Sequence, residues 1–153
     1  MRALYDSKSK GNDRGIKKLL TKEAKIESWL LAEAALADAQ AEEGFIPRSA
    51  ADNIIENAKL ERIDLEEMDR IQAKVGHGFV PFVKVLVKAC SEEGGKYVHY
   101  GVTTQNIQQT SQLYITRQVT EIYKSFLADI LKNLAALARD NADAVMPGRT
   151  HGK

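Results

Sequence analysis

A chain of 153 residues with 44% apolar and 28% charged side chains has room for one globular core and does not have the composition of a disordered segment. Its 22 basic and 21 acidic residues leave a formal net charge of +1, so no overall field draws it to nucleic acid or to an anionic membrane. A single cysteine makes no internal disulfide, no apolar run reaches the roughly 18 residues of a membrane span, and the polar start "MRALYDSKSKGNDRGIKK" has no signal-type stretch, so a cytoplasmic location is expected.

Only Pro47, Pro81 and Pro147 interrupt a sequence rich in Ala, Leu, Glu and Lys, which predicts an all-α chain. The first helix is expected from about Lys22 to Glu43, with Ile26, Trp29, Leu30, Glu33, Leu36 and Ala37 on one stripe and Gly44 as its stop. Ser49 is placed to cap a second helix through Ile54, Ile55 and Ala58, and Asp64 a third through Leu65, Met68 and Ile71 to Gly76. Pro81 opens a fourth, with Val83, Leu86, Val87 and Cys90 on one face and Gly94-Gly95 closing it.

The fifth helix differs in scale. From Thr104 to about Asn141 there is no Pro or Gly, and Ile115, Val119, Ile122, Phe126, Ile130, Leu134 and Leu137 recur every three or four residues. A helix of that span exceeds ~50 Å at about 1.5 Å per residue. A second apolar line through Tyr123, Leu127 and Leu131 calls for neighbours on two sides, supplied by a longer chain or by other subunits. The expected division is a helical unit over residues 1–100 and the start of a long-helix bundle over 101–153.

All three histidines sit beside helix ends: His77 in "VGHGFVP", His99 in "YVHYGVTTQN" and His151 in "GRTHG". Singly, each reads as an ordinary surface or core residue; three at breaks beside glycine point to a site. Their separations of 22 and 52 residues give no close ligand pair and no Asp or Glu accompanies them, so a metal site is not expected; no cofactor is expected either. Thr103 or Thr104 caps the long helix, whose free first-turn N–H groups and positive dipole end suit a carboxylate. The plainer alternative is that the threonines only cap and that Gln105, Asn106, Gln108 and Gln109 form a solvated face. Cys90 reads as core rather than nucleophile. The basic cluster Lys8, Lys10, Arg14, Lys17 and Lys18 lacks aromatics between its charges and reads as a mobile arm.

Four stretches, "WLLAEAALADAQAEEGFIP", "GHGFVPFVKVLVKAC", "KYVHYGVTTQNIQQT" and "MPGRTHG", carry a resemblance to the N-terminal part of the aspartase/fumarase superfamily. Within it the blocks "VHYG…TTQ" and "GRTHG" are similar to the adenylosuccinate lyase and 3-carboxy-cis,cis-muconate cycloisomerase branches. The resemblance implies a three-domain subunit about three times this length, a central bundle forming a homotetramer, and active sites assembled from motifs on three subunits. The third motif, a serine-bearing loop, is not in this sequence, so the 153-residue chain alone is expected to be inactive.

By resemblance, the reaction is a fumarate-releasing elimination on a small substrate bearing a dicarboxylate. Thr103, Thr104, Gln105 and Asn106 would bind its carboxylates, His99 would contact it, and Arg149 and Thr150 would position it. His151 would be the general acid, with His77 as its partner. The pattern departs from many relatives at Asn106 and Gln109, where Asp is usual, at Gly78 after His77, and at Lys153. Those changes fit a more acidic substrate or a paralogue with another substrate or none. The alternatives are a cycloisomerase and a non-catalytic helical assembly module.

Overall fold

Thr21 leaves the helical region and its hydroxyl accepts the Ala24 N–H at 3.1 Å, which starts the central helix of the molecule. The computed structural model describes residues 12–145, 147, 148 and 151. Their regular elements are all helical: α1 (Ile16–Leu19), α2 (Lys22–Glu42), α3 (Arg48–Asn57), a 3-10 turn (Leu60–Arg62), α4 (Leu65–Val75), α5 (Val80–Ala89), α6 (Glu92–Gly95) and α7 (Thr104–Asp140). None of the described helices is long and apolar enough to cross a membrane.

Helix α2 buries Ile26, Trp29, Leu30, Glu33 and Ala37, the three-and-four spacing of a single stripe, and ends before Gly44 in the left-handed region. Trp29 meets Phe79 and Phe82 edge-on, at 4.9 and 5.3 Å between ring centroids, so α5 is clamped to α2 by an aromatic cluster. Ile54 from α3, Met68 from α4 and Leu86 from α5 complete the core. On its other side α2 receives α7, where the Ser111 hydroxyl donates to the Ser28 carbonyl at 2.9 Å and both residues are buried. Two small residues facing each other let these helices approach closely.

Helix α4 is bounded as its sequence predicts: the Asp64 carboxylate accepts the Glu67 N–H at 2.8 Å, and Gly76 takes the left-handed turn at its end. Three expectations are corrected. Pro47, not Ser49, stands at the start of α3, and the Ser49 hydroxyl instead donates to Glu93. The buried face of α5 is Pro81, Phe82, Val85 and Leu86, leaving Val87 exposed and Cys90 just past the helix end. Gly94 and Gly95 do not close α5 but lie in α6.

Only the first part of α7 is covered, with Ile107 and Ser111 buried. Leu127, Ile130, Leu131, Leu134 and Leu137 all stand exposed. Arg14 reaches across the middle of the helix, donating to the Ser125 hydroxyl at 2.8 Å, pairing with Asp129 and lying over the Phe126 ring at 4.2 Å.

Candidate active site

His99 has φ of +59°, a left-handed backbone that a residue with a Cβ adopts only when its surroundings hold it there. The holding group is Glu33, in the middle of α2 and 1% exposed. One of its oxygens accepts the His99 backbone N–H at 3.1 Å and the other faces the His99 Nδ1 at 2.7 Å. Burial pushes the Glu33 carboxyl above the usual carboxylate range, while the bonds from His99 pull it back down. In its ionised form the carboxylate accepts from both the backbone N–H and an Nδ1–H of His99, so this pairing suits the tautomer with its hydrogen on Nδ1. Among the described residues Nε2 has no hydrogen-bond partner. Two turns further along α2, the Gln40 amide donates to the Tyr100 carbonyl at 2.8 Å, so one helix pins the 99–103 turn at two points.

His77 lies just before α5, and its Nδ1 accepts the N–H groups of Phe79 and Val80, each at 3.2 Å. The imidazole thus caps an orphan helix start, and the proton of its neutral ring is on Nε2. Phe79 links the two histidines: its backbone bonds His77 and its buried ring lies 5.4 Å from that of His99.

Gly101, in the left-handed region, turns the chain into α7. At that start the Asn106 side-chain oxygen accepts both the Thr103 N–H, at 3.0 Å, and the Thr103 hydroxyl, at 3.1 Å. Thr104 is half-buried, Gln105 and Asn106 are exposed, and the first turn carries no acidic side chain. The helix start therefore keeps its positive end uncompensated.

His151 does not join this group. Helix α7 has 37 residues, a length of about 55 Å. The ten residue steps from Asn141 to His151 span at most ~35 Å even when fully extended, leaving a gap of roughly 20 Å to Thr103 of the same chain. The structure therefore links His77 to His99 through Phe79, with Thr103 four residues beyond His99, and leaves His151 exposed and out of reach of Thr103 within one chain. Arg149 and Thr150 lie outside the described residues.

A groove of about 450 Å³ between α2 and α7, lined by Thr21, Lys25, Trp29, Gln108 and Thr116 among others, holds none of these residues. Cys90 is half-buried, and its thiol is pushed up to about 11 by burial, which suits packing rather than nucleophilic attack. The site residues that sequence reasoning overlooked are Glu33 and Gln40. The signal for Glu33 was present, a carboxylate on the apolar stripe of α2, whereas Gln40 gave none.

A family model described as "Lyase" matches residues 7–153. The chain is 38% identical over 131 residues to an adenylosuccinate lyase of Methanothermobacter thermautotrophicus, covering 86% of this chain and 29% of that protein. It is 38% identical over 133 residues to an N-acetyl-S-(2-succino)cysteine lyase of Enterococcus italicus, covering 85% of this chain and 28% of that one. The solved β-carboxy-cis,cis-muconate cycloisomerase of Acinetobacter calcoaceticus superposes with a TM-score of 0.84 at 31% identity, over 90% of this chain and 33% of that chain. The chain thus spans less than a third of the length of these two curated relatives. Sequence match and shared helical architecture agree, and the chain belongs to this lyase family of the aspartase/fumarase superfamily.

Proposed function

We propose that this chain supplies part of the active site of a fumarate-releasing lyase that cleaves a carbon–nitrogen bond in an adenylosuccinate-like substrate. The observation that carries this reading is the start of α7: a first helical turn without acidic side chains, opened by Thr103 and Thr104, follows directly on a histidine held by a buried carboxylate. In the elimination, a base takes a proton from the carbon beside one carboxylate and negative charge collects there. The C–H electrons become the double bond, and the nitrogen leaves with the C–N pair and takes a proton from an acid. Helix-start amides and the Thr104 hydroxyl are suited to that extra charge, while Thr103, whose hydroxyl donates to Asn106, would lend it once that bond is exchanged for one to the substrate. Asn106 caps the helix as an Asp would but adds no negative charge beside the substrate.

His151 is the proposed acid, helped by Arg149 and Thr150, and because it cannot reach Thr103 of its own chain the complete site needs a second copy. The apolar distal half of α7 supports a homotetrameric bundle of such copies, with the boundary between N-terminal unit and bundle near residue 100. A cytoplasmic enzyme of nucleotide metabolism fits this substrate.

Similarity to the cycloisomerase favours a second reading, lactone formation on a carboxymuconate. Similarity to the succinocysteine lyase keeps sulfur open as the departing atom. Incubating the gene product with adenylosuccinate, a succinylated cysteine and a carboxymuconate, with fumarate and lactone measured separately, tests these readings. Fumarate from adenylosuccinate is the expected result. Lactone would favour the cycloisomerase, and no product from any of the three would favour an assembly module.

A further inference from the structure

We infer that Glu33 is a positioning residue for catalysis, one that sets both the ring orientation and the tautomer of His99; its kinetic part rests on the lyase reading above. Three observations converge on this carboxylate. It is 1% exposed at a stripe position where an apolar residue would pack without a desolvation cost, so its charge serves something other than packing. It spends one oxygen on the His99 backbone N–H and the other on Nδ1, and so controls the left-handed backbone and the ring together. The ring also packs against the Phe79 ring, tilted by 48° at 5.4 Å between centroids, while its Nε2 is left without a protein partner among the described residues.

The chemical consequence follows from donor and acceptor inventories. With Nδ1–H committed to the carboxylate, the neutral ring presents Nε2 as an acceptor, suited to an N–H or O–H of the substrate. His77, with its Nδ1 occupied by backbone donors, presents the opposite tautomer, with its hydrogen on Nε2. Two imidazoles joined through Phe79 thus offer one acceptor and one donor. The donor is set by a helix start, and the acceptor is set by Glu33.

Glu33→Gln is the discriminating variant. The glutamine fills the same space, its oxygen accepts the His99 backbone N–H, and its NH₂ donates to Nδ1, which drives the ring proton to Nε2. Nitrogen-15 spectra of the histidine side chains of this 153-residue chain at neutral pH should show His99 with its hydrogen on Nδ1, and the variant should show it on Nε2. Leu30→Ala, which damages the same core without touching the pair, should leave the His99 tautomer unchanged. In the gene product, Glu33→Gln is expected to lower kcat tenfold or more with KM within about threefold, and Glu33→Asp, which keeps the charge, to recover part of the loss.

A wild-type His99 carrying its hydrogen on Nε2 would overturn the inference without any variant, as would a variant whose tautomer is inverted but whose kcat is unchanged. A gene product that releases no fumarate, but whose tautomer inverts as expected, would overturn the lyase reading and uphold the Glu33–His99 coupling.

Discussion

The cost of burying the Glu33 carboxylate appears as a dependence of stability on pH. Its folded value is raised by burial, so between the ordinary glutamate value of about 4.3 and that raised value the folded chain holds more protons than the unfolded one. This contribution is fully present below the ordinary value and declines as pH rises through the folded one. Denaturant titrations across that window should therefore show wild type losing stability relative to Glu33→Gln as pH rises, by less than about 1.4 kcal/mol per pH unit. The residues whose chemistry was readable in sequence are those with a local signal. Thr103 before a long polar helix start, and histidines beside glycine, can be seen without knowing what they touch. Glu33 is visible only as an exception on its stripe, because its partner is 66 positions away. The occupation of His77 by helix capping and of Asn106 by Thr103 depends on rotamers that spacing does not specify.

At the scale of elements, the boundaries of α4 and α7 and the apolar stripe of α2 were legible, while the start of α3 and the buried face of α5 were not. Helix α4, between Asp64 and Gly76, and helix α7, from Thr104 to Asp140, follow from their ends and from an unbroken run. The stretch "FVPFVKVLV" is apolar at almost every position, so its periodicity selects no face, and the aromatic contact of Phe82 with Trp29 decides the matter. Gly94 misled for a related reason. A Cβ there would stand 2.4 Å from the Asn53 side-chain oxygen, so the glycine answers a close approach rather than a helix end. The α2–α7 contact makes a similar demand. Ser111→Leu would wedge the two helices apart and remove the second hydrogen bond to the Ser28 carbonyl, with an expected loss of about 1–3 kcal/mol in equilibrium unfolding. Thr110→Leu, one position along on an exposed face, should change stability by no more than about 0.5 kcal/mol.

The whole molecule has a finished end and an unfinished one. The core around Trp29 is closed, while Leu127, Leu131, Leu134 and Leu137 are each more than half exposed to solvent among the described residues. Sedimentation of this chain at micromolar concentration is expected to show self-association, and Leu131→Glu/Leu134→Glu to shift it tenfold or more toward monomer while helicity persists. The two apolar lines of the sequence already marked the residues that stand exposed here.

The length of α7 has a genetic consequence. On the proposed lyase reading, a lesion at Thr104 and a lesion at His151 would damage opposite ends of a rod, in motifs too far apart to serve one pocket within one chain. Two alleles, each inactive alone, would therefore rescue each other when co-expressed: if pockets draw the two ends from different subunits of a randomly mixed assembly, roughly a quarter carry both ends intact. Two lesions at the same end, such as Thr104 and His99, would give no such rescue, and the pattern of rescue would sort every essential residue by the end of the rod to which it belongs.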